Sequence, residues 1–226
     1  MNYDEFKTEV LSSAEDVYRQ YYRAHRQRIK IKKEDLAVKN YMMLTNTALK
    51  LSAEKGFQAM TMRDLAREAG MSMGALYYYF SGKNEILERI HDQGHKFVLE
   101  ILLKYISLAS GPAEKLRTAI RTHLYLSELM RLWFYFFFME TKHLGKKHRQ
   151  TPMESELWTE GLYVDLLEEG RRAGVYAFDD PDLIGASIKS LLQDWYLKRW
   201  KYVQRGVTVE KYTDFVISLI EAYVTA

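Results

Sequence analysis

The chain has no cysteine, three prolines and 12 glycines in 226 residues. Without cysteine it can form no disulfide, thiolate metal site or cysteine nucleophile. So few turn-forming residues cannot punctuate the short strands of an all-β fold, and the composition predicts a mainly helical protein. Long apolar runs are also missing. The densest patch, Leu132–Met139, falls far short of the ~20 residues that span a bilayer as a helix. No apolar run follows a basic stretch near the N-terminus, which argues against a secretory signal. A soluble cytoplasmic protein with no membrane partner is expected. The zinc-protease pattern H-E-x-x-H and the glycine-rich phosphate loop are absent. The expectation is a non-enzyme that needs no cofactor. His91 and His95 have metal-like i,i+4 spacing but no evident third ligand, so they are read as surface or hinge histidines and no metal is expected.

What is present is apolar content of 47%, aromatic content of 14%, and a net charge of +3 that averages over patches. Seven Lys/Arg and no acid fall between Val17 and Lys33: Arg19, Arg23, Arg26, Arg28, Lys30, Lys32 and Lys33. A second acid-free stretch holds Lys142, Lys146, Lys147 and Arg149. Such clusters attract phosphates or anionic ligands, or are simply solvated helix faces.

Spacings of three and four place Phe6, Val10, Ala14, Val17 and Tyr21 on one face of a helix over residues 3–26. The pattern repeats over Asp35–Lys55 through Leu36, Tyr41, Leu44, Ala48 and Leu49, and Gly56 suits a left-handed end. Thr61 and Asp64 frame a capping box, with Asp in place of the usual Glu or Gln. Ser72 caps a short helix, and Ser81 caps a long one through Ile86, Leu87, Ile90, Phe97 and Ile101. After Ser110-Gly111-Pro112, helical patterns cover 113–127, 128–144 and 153–173, then 181 to about 204, and 208–223. Three parts are expected: an extension over 1–34, a head over 35–95 and a body over 96–226.

Residues 61–83 read TMRDLAREAGMSMGALYYYFSGK, two short helices around the turn Gly70-Met71-Ser72. Leu65, Ala69, Met71 and Leu76 can form the seam, Ala66 lets the helices cross closely, and Gly70 permits the turn. The second helix carries few bulky side chains at its start, so its backbone can approach a major-groove floor.

This segment resembles the TetR/AcrR family of transcriptional repressors through Thr61, Leu65-Ala66, Ala69-Gly70, Ser72-x-Gly74, Leu76-Tyr77-x-Tyr79-Phe80 and Lys83. The resemblance implies an all-α homodimer. Its N-terminal three-helix helix-turn-helix domain would read a DNA operator, and its C-terminal helical domain would bind an effector and dimerise. Arg63 could reach a guanine edge or a phosphate, while Thr61 and Ser72 could offer phosphate contacts at helix starts. Met73 and Ala75 are limited to apolar contacts such as thymine methyls, and Gly74 allows close approach. Tyr77 is read as a phosphate clamp, Tyr79 as a contributor to specificity, and Lys83 as a phosphate partner. Tyr78 is either another contact or a buried strut. The basic end of the extension is either a DNA-tracking arm or part of a helix packed on its own domain.

In the second half, Leu132–Met139 is apolar all round and is expected to be a central helix. Trp133, Phe134, Phe137 and Phe138 are candidate effector contacts, with Trp158, Tyr163 and Trp195 as opposing walls. The stretch over 139–224 is similar to a TetR branch that senses fatty acids, acyl-CoA thioesters or related acids, which implies a small hydrophobic effector. An aromatic acid fits the same description. Ile184, Ile188, Leu191, Leu192 and Trp195, with Phe215, Val216, Leu219 and Ile220, form stripes suited to an isologous interface or to a monomer's core. Gly94 could loosen the helix joining head and body. Two other readings remain: a helical carrier of hydrophobic ligands without DNA function, and a non-sensing architectural DNA-binding protein.

Overall fold

The computed structural model describes residues 1–24, 26, 31, 33–140 and 146–225, leaving aside the side chains at 13, 14, 17, 21, 24 and 146–152. Among the described residues there are eleven helices and no strand. They are α1 (Tyr3–Ala24), α2 (Glu34–Lys55), α3 (Met62–Glu68), α4 (Met73–Leu76), α5 (Lys83–Leu108), α6 (Pro112–Leu129), α7 (Arg131–Glu140), α8 (Lys146–Arg172), α9 (Pro181–Leu197), α10 (Arg199–Gln204) and α11 (Val209–Val224). Pro112 and Pro181 sit in first turns, where a missing N–H costs nothing. Asp180 and Thr208 cap α9 and α11 by accepting the N–H of Leu183 and Lys211.

The helices gather into two compact units. The head unit comprises residues 8–97 and 132–148, and the body unit comprises residues 1–7, 98–131 and 149–226. This differs from the three-part division expected from the sequence. The start of α1 belongs to the body, and α7 belongs to the head.

In the head, Tyr41 packs against Phe80 and Tyr18, and Tyr22 joins Ala37 and Val38 in a buried cluster. On the α2 stripe, Leu36 is exposed, and Ala37 and Val38 are buried instead. In the body, α6 packs against α9 and α11, and Phe6 of α1 meets the rings of Tyr105 and Tyr125. The helix expected from 181 to about 204 breaks at Lys198, whose backbone (φ −120, ψ 33) leaves the helical region. The following Arg199 makes two hydrogen bonds to Glu128 and lies over the Trp195 ring. That tertiary anchor accompanies a bend without Gly or Pro to announce it.

Two expectations are corrected here, and one left open is divided. First, α7 is not apolar and buried all round. Trp133, Phe134 and Phe136 face inward, whereas Leu132, Tyr135 and Phe138 are exposed, so one face packs and the other does not. Second, the α9 and α11 stripes divide between their two readings: Ile184, Ile188, Leu192, Trp195, Val216 and Ile220 are buried within the single chain, whereas Phe215 and Leu219 are exposed. Third, His91 is not a surface residue: it is buried with its ring against Phe136 and Phe137.

Candidate nucleic-acid interface

Both short helices of the 61–83 segment are closed at their starts by their own side chains. Thr61 Oγ1 accepts the Asp64 N–H at 3.1 Å, and an Asp64 oxygen accepts the Thr61 N–H at 3.0 Å, completing the capping box. Lys55 at 2.6 Å and Arg67 at 3.0 Å add charge pairing to Asp64. The bond from Lys55, joined by those from Thr61, holds the Asp64 carboxyl well below the usual carboxylate range. Ser72 Oγ accepts the Ala75 N–H at 3.2 Å and starts α4. Gly70 has φ +63, a left-handed turn that a side chain would strain. Leu65, Ala66 and Leu76 are buried beneath the turn.

Gly70-Met71-Ser72-Met73-Gly74 also spells G-x-S-x-G, the pattern of a serine-hydrolase nucleophile turn. That chemistry requires a strand leading into the serine. Here helix α3 leads into it, and the Ser72 oxygen is engaged in a cap.

The surface above this frame holds most of the expected contact residues. Thr61, Arg63, Ser72, Gly74 and Tyr77 are exposed, and Met73 and Ala75 are half-buried. Thr61 is reachable, but its hydroxyl donates to Asp64 at 2.8 Å. Lys83 lies at the first position of α5, donating to the Gln58 carbonyl at 2.7 Å with its ammonium 4.9 Å from the Phe57 ring centre. Burial lowers its pKa, with Glu140 opposing. Tyr78 is exposed, so the buried-strut reading does not hold for it.

Tyr79 is the correction. It is 2% exposed, with its hydroxyl accepting from Asn40 Nδ2 at 2.9 Å, so it ties α4 to α2 and presents nothing to a groove. Burial raises the pKa of this phenol. One helical turn separates neither Tyr77 nor Tyr78 from it, so sequence alone could not assign the buried member of the trio.

This geometry is a helix-turn-helix with a capped frame and a second helix that is exposed at Gly74 and half-buried at Met73 and Ala75. Residues 44–90 match the family described as bacterial regulatory proteins, tetR family, and residues 109–222 match the tetracyclin repressor-like C-terminal domain. The chain belongs to the TetR family of transcriptional regulators. It is 29% identical over 183 residues to the HTH-type transcriptional repressor KstR2 of Rhodococcus jostii RHA1, covering 78% of this chain and 87% of that protein. It is 24% identical over 183 residues to the HTH-type transcriptional regulator HbdR of Aromatoleum sp. CIB, covering 81% and 80% of the two. The crystal structure of AibR in complex with isovaleryl coenzyme A and operator DNA shares the fold with a TM-score of 0.71 at 20% identity, over 80% of this chain and 97% of that one.

Within this TetR-family chain the seven candidate effector residues divide between the units. In the head, Trp133 donates Nε1–H to the Ile90 carbonyl at 2.8 Å, and its ring meets Phe134 and Phe137. Phe138 is exposed. In the body, Trp158 is partly exposed, and Tyr163 is fully buried with its hydroxyl 3.1 Å from His123 Nδ1. Trp195 is fully buried, stacked on Tyr212 and hydrogen-bonded to Glu128, so its ring is spent on the core and leaves no free wall. Lys142 lies outside the described residues, as do the side chains of Lys146, Lys147 and Arg149.

The basic N-terminal run divides similarly. Arg19 pairs with Glu15, Glu34 and Asp35, and Arg23 pairs with Glu34. These acids compensate the first two cations, while Arg28, Lys30 and Lys32 lie outside the described residues. Glu140 was not legible as a site residue: buried at the end of α7, it accepts the Phe57 N–H at 3.3 Å. A single acid closing an aromatic run was its only signal.

Proposed function

We propose that this TetR-family chain represses transcription as a homodimer on a two-fold symmetric operator and is released by a small hydrophobic effector such as a fatty acid, an acyl-CoA or an aromatic acid. The observation that carries the reading is the α3–α4 surface, where capping is satisfied internally while Arg63, Met73, Gly74, Ala75 and Tyr77 remain accessible. Thr61, Ser72 and Lys83 border that surface and are assigned to phosphates, and Arg63 with the apolar α4 residues is assigned to base edges.

Dimerisation is assigned to the faces of α9 and α11 that the single chain leaves open. Leu183 is 67% exposed and Phe215 58%, with Leu219 and Tyr223 continuing the α11 stripe at i,i+4 spacing. Such a stripe repeated by a two-fold axis gives an isologous interface, and recognition helices about one DNA turn apart, ~34–36 Å. Effector contacts are assigned, within the body, to Trp158 and Tyr163. The shared fold of AibR, solved with isovaleryl coenzyme A and operator DNA, supports a sensing rather than architectural role. Helix α5 supplies residues to both units and is the natural lever. The effector acts by binding one arrangement more tightly than another.

Selection of bound sequences from a random duplex pool, followed by native mass spectrometry of the complex, tests the reading. A palindrome occupied by two chains or a multiple of two is expected. Sequence-independent binding would favour an architectural protein, and no DNA binding would favour a carrier.

A further inference from the structure

The body contains a layer of buried polar side chains where its helices would otherwise meet through apolar ones. Lys189 on α9 is 5% exposed, between Ile188 and Leu192 in a stripe of core residues. Its ammonium meets one oxygen of Glu156 on α8 at 3.2 Å, and Gln193 Nε2, one turn further along α9, donates to the other at 2.5 Å. Tyr163 and His123, hydrogen-bonded to each other, lie within electrostatic reach: Glu156 raises the Tyr163 phenol beyond the effect of burial, and Lys189 lowers the His123 imidazole likewise. Gly185, one turn before Lys189, seats α9 tightly on α8, since a Cβ there would fall 2.8 Å from Val164 Cγ2.

The two members of the ion pair are unequally placed. Lys189 is sunk in the core, whereas the Glu156 side chain is 38% exposed and can turn to water. Stability does not call for such a pair, because desolvating a cation is costly and apolar residues in place of both partners pack as well or better. The buried Lys189 and the half-buried Gln193 do present donors that fit both oxygens of one carboxylate. The chain's own Glu156 fills this seat.

We propose that this seat binds the carboxylate of a monocarboxylic acid, which displaces Glu156. The assignment rests on the reading of the body as an effector domain and narrows the effector class to free acids. The cation is desolvated by folding, so the exchange trades one carboxylate for another and returns Glu156 to solvent. A thioester offers no carboxylate, and one lysine does not balance the several phosphates of coenzyme A, so an acyl-CoA is not served here.

Calorimetric titration of the full chain with octanoate and benzoate, against octanamide and benzamide, tests the seat without DNA. At least one acid is expected to bind roughly tenfold or more tightly than its amide, the worth of a charge-assisted hydrogen bond. Lys189→Met is expected to abolish that preference while the chain stays folded by circular dichroism; a purely structural ion pair would leave the preference of acid over amide unchanged. Glu156→Gln, which weakens the internal competitor, is expected to tighten acid binding, and it decides the matter should the lysine variant fail to fold. Failure of both acids to bind, equal binding of acid and amide, or weaker acid binding by Glu156→Gln overturns the seat. Operator release is measured separately. Acid binding through Lys189 that leaves the operator bound would uphold the seat and overturn the effector reading.

Discussion

Gly94 and Trp133 occupy one space. A Cβ on Gly94 would lie 1.8 Å from Trp133 Nε1 and 2.0 Å from Cε2, and the indole is held there by its bond to the Ile90 carbonyl. The glycine is a socket that docks α7 on α5. Phe136 against His91 and Glu140 on the Phe57 N–H repeat the attachment along α7. The flexible-joint reading of Gly94 gives way to a packing one.

Gly94→Ala therefore sets two effects against each other. Helix propensity favours alanine by ~1 kcal/mol, while overpacking of a fixed ring costs about 1–3 kcal/mol or more. The contact is far below van der Waals distance and the indole cannot swing aside, so overpacking wins. Urea denaturation should give a net loss of stability, partly recovered when Trp133→Leu is added. A more stable Gly94→Ala would show that the socket is wrong.

His91 should make the fold acid-sensitive. Burial, with His95 adding to it, lowers its pKa from 6.5 to about 4. Between those values the unfolded chain holds a proton that the native state refuses, so stability is full above pH 6.5 and falls as the pH drops toward 4. The gap corresponds to about 3 kcal/mol at most, at ~1.4 kcal/mol per pH unit. Buried His123 is lowered too, so the informative quantity is the difference between wild type and His91→Phe. That variant should show a shallower loss over the window; parallel pH profiles would exclude His91 as a cause.

Tyr77 and Tyr79 should separate binding from folding. Tyr79→Phe strips the Asn40 bond and should cost about 1 kcal/mol of stability while leaving operator preference unchanged. Tyr77→Ala should leave Tm nearly unchanged and weaken DNA binding. The reverse assignment in anisotropy and melting measurements would contradict the placement of the two rings.

Lys83→Ala should weaken all DNA sequences alike and lower the salt slope by about one charge. Lys83 is tethered to Gln58 and Phe57, so it would meet a phosphate from a fixed position. A loss confined to one sequence would mean that it reads a base instead.

The body's outer stripe should control association and its inner stripe folding. Phe215→Asp with Leu219→Asp should yield a helical monomer with weakened operator binding, as read by sedimentation and circular dichroism. Val216→Asp, at a fully buried neighbour, should unfold the body. Dimers that persist with both outer residues charged would move the interface elsewhere.

Local chemistry alone was sufficient for several features. The caps at Thr61, Ser72, Asp180 and Thr208, the proline starts and the left-handed glycines act through neighbours a few residues away, so the sequence by itself determined the helix-turn-helix and, apart from the break at Lys198, the helix order. What a helix does with each of its faces depends on residues far along the chain. Only the tertiary structure decided that Tyr79 turns inward to Asn40, that Trp195 is spent on Tyr212 and Glu128, and that Ile184 and Val216 build the core while Leu183 and Phe215 stay open. It alone brought Lys189 to Glu156, because an apolar stripe interrupted by a lysine reads the same whether that lysine reaches water or is sealed against another helix.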